Sequence, residues 1–163
     1  MLSQHRKPVC LSLMSFDLPI WSVVEAAATL YQKDAEQFHI LLTEPVVRER
    51  SPHEETSTGQ VLTSTTPSPR LLWLEVSPYR VTATMQGNGR FSYRHFWEEG
   101  VYGINRYWLQ GSGAAKTEQV RLRNFTRSLD LTGGDLPQHL RLEYELWSQQ
   151  LCLGHYVMNL DIR

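Results

Sequence analysis

Only two cysteines occur in the 163 residues, Cys10 and Cys152. A disulfide framework would show several cysteines at short spacings. Two distant ones point instead to reduced thiols in a reducing compartment. No stretch approaches the ~18 apolar residues that a membrane-spanning helix needs. An excess of either charge is also lacking, with 16 Lys and Arg against 17 Asp and Glu. That balance argues against nucleic acid as a partner, because such domains are usually strongly basic overall. It also removes any general attraction to anionic membranes. The start, Met1 to Pro8, has basic residues, but Val9 to Phe16 is too short and serine-interrupted for a signal-peptide core. A cytoplasmic protein with no membrane span is expected, and Asn124-Phe125-Thr126 is then a chance match to a glycosylation acceptor.

Chemical motifs are equally scarce. No H-E-x-x-H or Cys-x-x-Cys pair is present, so the six histidines suggest no metal site. No G-x-S-x-G elbow supports a hydrolase serine. Gly111-Ser-Gly-Ala-Ala-Lys116-Thr117 looks like a phosphate-binding loop, but Gln110 and Ala115 stand where its glycines belong. The segment that follows alternates as a strand, whereas a phosphate loop must open a helix. His95 and Glu98 are the nearest histidine–carboxylate pair. Cys152 falls on the apolar phase of its strand, which predicts an inert buried thiol. Glu143 and Glu145 share a strand face with Arg141, which reads as a solvated surface. No catalytic residue, cofactor or metal is assigned, and an enzyme is not expected.

What the chain does have is alternation. At 41% hydrophobic and 20% charged it has the composition of a globular domain. A single domain spanning 1–163 is expected, with a flexible Ser/Thr/Pro-rich loop at 48–70. Val9 to Phe16 and Phe38 to Val47 read as strands. Between them Ser22 and Glu25 have capping-box spacing, and Val23, Val24, Ala27, Leu30 and Tyr31 recur at helical intervals. This predicts one amphipathic helix near Ile20 to Gln37. From Leu71 onward short alternating segments follow one another, separated by turn signals at Gly87-Asn88-Gly89, Glu98-Glu99-Gly100, 111–115 and Gly133-Gly134-Asp135. The expected fold is mainly β (α+β): an antiparallel barrel or sandwich with one N-terminal helix.

Aromatic side chains crowd the region after residue 70 and fall on both strand faces. Trp147 shares a phase with Arg141, and Trp108 with Arg106. Exposed tryptophan beside arginine is typical of protein interfaces. The expected role is a non-enzymatic accessory protein that holds a protein partner through Arg106, Trp108, Arg141 and Trp147. The alternative is a lipocalin-like barrel that binds or transfers a small planar ligand such as a tetrapyrrole.

The ending LRLEYELWSQQLCLGHYVMNLDI, Leu140 to Ile162, resembles the C-terminal strands of small cyanobacterial proteins of unassigned function. The segment RNFTRSL, Arg123 to Leu129, adds to that resemblance. It implies a bacterial cytoplasm and a task near photosynthetic machinery, such as assembly. It carries no catalytic residue across.

Overall fold

The computed structural model describes residues 3–17, 21–44, 70–86, 91–110 and 117–163. They form ten strands: β1 (Ser3–Ser15), β2 (Trp21–Gln32), β3 (Phe38–Glu44), β4 (Arg70–Val76), β5 (Arg80–Gln86), β6 (Phe91–Glu98), β7 (Tyr102–Gln110), β8 (Thr117–Gly133), β9 (Pro137–Ser148) and β10 (Leu151–Ile162). Each strand pairs antiparallel with the next, and β10 returns to β1, so the sheet closes into a barrel. Closure removes the unpaired edges that an open sheet of this size would leave.

The fold is therefore all-β, and the expected N-terminal helix is absent among the described residues. The segment 21–32 is β2 instead, paired with β1 from Ser3↔Gln32 to Met14↔Trp21. Its sequence carries a period of 2 beneath the apparent period of 3.6. Val24, Ala26, Ala28 and Leu30 share one face, and Val24, Ala28 and Leu30 are buried. Val23 and Ala27, members of the expected helical stripe, face solvent. The physical reason is tertiary. A helix here would leave β1 unpaired along one side, whereas a strand satisfies those backbone groups and places small alanines inside the barrel.

The other strand expectations hold, with shifted bounds. Residues 48–69 of the expected flexible loop, the Gly87-Asn88-Gly89 turn and the 111–115 connection lie outside the described residues. The turns at Glu98–Gly100 and Gly133–Asp135 are present, and Arg70 opens β4.

The barrel interior is packed by Leu30, Ile40, Leu74, Val81, Leu140 and Leu160, each almost wholly buried. Bulges in β8 at Thr126/Ser128 and in β10 at Cys152/Gly154 reset the alternation. The second one corrects the expectation for Cys152. It sits opposite Trp147, on the outward phase, and is exposed rather than buried.

Candidate functional site

Polarity enters the barrel on β6. Its inward phase reads Tyr93, His95 and Trp97, because these residues pair with the buried Met85, Ala83 and Val81. Tyr107 and Asn105 face them from β7, Asn124 and Thr126 come from β8, and Tyr144 and Tyr156 from β9 and β10. The His95 ring stacks on Tyr93 with centroids 4.4 Å apart and meets Tyr107 and Trp97 edge-on at 5.1 and 5.3 Å. Trp97 continues to Tyr144 at 5.4 Å, and Tyr144 stacks on Tyr156 at 5.5 Å. The outcome is a belt of rings contributed by four strands, β6, β7, β9 and β10.

Two asparagines hold this belt in place. Below Arg94 the β6–β7 ladder stops, and side chains take over its hydrogen bonds. The Asn124 amide donates to Phe96 O at 2.6 Å and to Asn105 Oδ1 at 2.7 Å. Phe96 N donates to Asn105 Oδ1 at 3.3 Å, and Thr126 Oγ1 to Asn124 Oδ1 at 3.3 Å. Gly103 permits this approach: a Cβ there would lie 2.6 Å from Phe96 O. Gly154 does the same for Tyr156, whose ring occupies the space a Cβ would take.

The electrostatics follow from burial. Removal from water pushes the His95 imidazole down to about 3, so it is neutral at physiological pH. The same desolvation raises the phenols of Tyr107, Tyr144 and Tyr156. For Tyr107 the Asn105 side chain acts in the opposite direction, and the neighbouring Tyr156 adds to the rise. His95 Nε2 and Trp97 Nε1 are buried without a hydrogen-bond partner among the described residues. A buried polar group of that kind costs free energy unless something meets it.

The interior is not equally filled along its length. At the end where β9 turns into β10, inward side chains keep part of their surface. Tyr93, Tyr107, Leu122, Leu146 and Tyr156 are half-buried, and Leu109 and Val120 are exposed at 38% and 40%. Since alternation points them into the barrel, that residual surface marks a mouth. Among the described residues, no carboxylate, ammonium or guanidinium occupies the inward positions of β6, β7, β9 and β10 around the belt. Among the described residues, the only inward acid near the mouth is Glu118, opposite Leu109.

No protein-family model and no curated protein matches this chain. Among solved structures, the crystal structure of the ywiB protein from Bacillus subtilis is similar. It covers 99% of this chain and 93% of that one, with a TM-score of 0.54 and 10% identity. What the two share is the barrel. At that identity the likeness shows the fold alone.

The four residues expected to bind a partner all lie outside the barrel, away from the ring belt. Arg106 and Trp108 are neighbours on the outer face of β7, with Arg106 exposed and Trp108 half-buried. Arg141 and Trp147 share the outer face of β9 but stand six residues apart, roughly 20 Å at the strand rise. Arg141 pairs with Glu143 at 3.4 Å, and Trp147 Nε1 donates to Glu145 at 3.1 Å. Burial alone would raise the Glu145 carboxyl, but the hydrogen bonds from Trp147 and Arg127, with the Arg127 charge, bring it below the usual range. The structure brings Trp147 near the Arg106 side through β8, and leaves Arg141 at the other end.

Sequence reasoning missed His95 as a special residue. It is one of six histidines scattered along the sequence, and Glu98, the carboxylate three residues on, faces the opposite way, toward Arg80. The legible signal was phase: His95 sits between Tyr93 and Trp97 in strict alternation.

Proposed function

We propose that the protein is a non-enzymatic carrier whose barrel takes up a small, flat, neutral aromatic molecule through the mouth lined by Leu109 and Val120. The observation that supports this most is the pair His95 Nε2 and Trp97 Nε1, buried near one another without a hydrogen-bond partner among the described residues, in a wall of aromatic rings. A ligand hydroxyl or carbonyl oxygen would accept from Trp97. A ligand hydroxyl could also donate to neutral His95, and the rings offer stacking surface. The uncharged lining disfavours an ionised ligand group at that depth. A tetrapyrrole would fit this chemistry only with its carboxylates left at the mouth.

The test is direct. Native mass spectrometry of the purified protein should show a bound compound in the small-molecule range. After its removal, the neutral probe N-phenyl-1-naphthylamine should bind with increased fluorescence. Tyr107→Leu should change probe affinity, whereas substitutions on the outer face should not. A protein that carries nothing and does not bind the probe overturns this reading.

A further inference from the structure

Three arginines stand in register across the outer face: Arg94 on β6 faces Arg106 on β7, and Arg106 faces Arg121 on β8. Arg123 follows two residues along β8, opposite Ile104. At ~4.8 Å between strands, these four positions fall within a patch of roughly 10 by 7 Å. Like charges directly opposite one another oppose sheet formation, so a row of three is an arrangement that folding alone disfavours. Arg94 and Arg106 make no hydrogen bond or ion pair with any described residue. The bordering acids are engaged elsewhere, Glu145 by Arg127 and Trp147, and Glu98 by Arg80. A chain of net charge −1 thus sets four arginines together with no acid paired to any of them among the described residues, Arg121 donating only to the neutral Gln119 side chain and Arg123 to Gln149 O.

We infer that this patch docks a short stretch of single-stranded nucleic acid. Guanidinium forks match phosphate oxygens two at a time. Trp108 lies two residues beyond Arg106 on the same face, and Trp147 pairs with Arg123 on the other side of the row. Aromatic rings beside a positive track are the elements by which sheet surfaces hold single strands, with bases stacked and phosphates neutralised. Arg123 already lies over the Tyr102 ring at 5.4 Å, so stacking geometry is present on this face. The small size of the patch limits the contact to a few nucleotides. An acidic protein segment would satisfy the arginines, but it brings no succession of flat bases to stack on the two tryptophans as its charges are met. The site is separate from the barrel interior and does not depend on what that interior binds.

The experiment titrates tryptophan fluorescence with eight-nucleotide oligo-dT and oligo-U at 50 mM salt, beside an octaglutamate peptide. Quenching by an oligonucleotide is expected, weakened about tenfold or more in Arg94→Gln/Arg106→Gln. The slope of log affinity against log salt should flatten by about 0.7 for each arginine removed. Trp108→Leu should weaken binding about tenfold through lost stacking. Arg141→Gln, already paired with Glu143, should change nothing. Circular dichroism of each variant confirms the barrel. Absence of oligonucleotide binding overturns the inference, and so does octaglutamate binding as tightly with the same arginine dependence, which would make an acidic protein segment the occupant.

Discussion

Asn124 donates a hydrogen bond to Asn105 across two strands at 2.7 Å, and neither side chain touches solvent. The pair stands in for the backbone ladder where β6 and β7 part. Through Phe96 it fixes the backbone between His95 and Trp97, both members of the ring belt.

Asn124→Leu should therefore destabilise the protein by about 2 kcal/mol or more, because it leaves Phe96 O buried without its amide donor and leaves Asn105 Oδ1 with only the longer bond from Phe96 N. Equilibrium urea unfolding measures this. A loss under about 0.5 kcal/mol would show that water replaces the amide without cost.

Gly103→Ala should also destabilise, by about 1–3 kcal/mol, since its Cβ meets the Phe96 carbonyl at 2.6 Å and backbone cannot yield as a flexible side chain can. Gly100→Ala meets nothing within 4 Å, although its φ of 74° is one that favours glycine. Comparing the two thermal midpoints separates steric overlap from backbone strain.

The His95 shift sets a pH dependence. Its folded value of about 3 lies below the ordinary 6.5, so between these limits the unfolded chain binds a proton that the folded chain refuses. The contribution of His95 to stability is thus greatest above pH 6.5 and falls as pH drops toward 3, by at most about 1.4 kcal/mol per pH unit. His95→Gln should flatten the difference in urea midpoint between pH 7 and pH 5 relative to the parent protein. Identical slopes in the two proteins would mean that His95 protonates freely.

Arg106→Thr relieves two cross-strand repulsions and supplies a residue suited to strands. A gain of about 0.5 kcal/mol is expected in urea unfolding. A loss of similar size would show that the arginine row holds the sheet together rather than straining it.

Cys152 should react with a thiol reagent in the native protein faster than Cys10, which is only partly exposed. Cys152→Ser should remove the fast phase of absorbance from 5,5′-dithiobis(2-nitrobenzoate). Equal rates for both thiols would contradict the outward placement that the β10 bulge gives.

Most of the strands were legible because alternation is local. Leu140, Leu142 and Tyr144 announce their buried face without reference to any other strand, and so do Tyr93, His95 and Trp97. Around Ser22 and Glu25 a helical and a strand period coexist, and pairing with β1 decides between them. The alternation around Cys152 points it inward, but a bulge, which leaves no mark in composition, inverts the phase of everything before it. The balanced net charge is a property of the whole chain. It says nothing of Arg94, Arg106 and Arg121, which are far apart in sequence and become neighbours only through register.

The sequence by itself determined the antiparallel β character of the second half, the aromatic load on both strand faces and the absence of disulfide scaffolding. These depend on side-chain period and residue type, which act over a few residues. Tertiary structure alone decided that the sheet closes, that residues 21–32 complete it as a strand, that His95 and Trp97 end up inside and that the arginines form a row. Each of these depends on which strand lies beside which, and that choice is made by burying one face and pairing every backbone edge together.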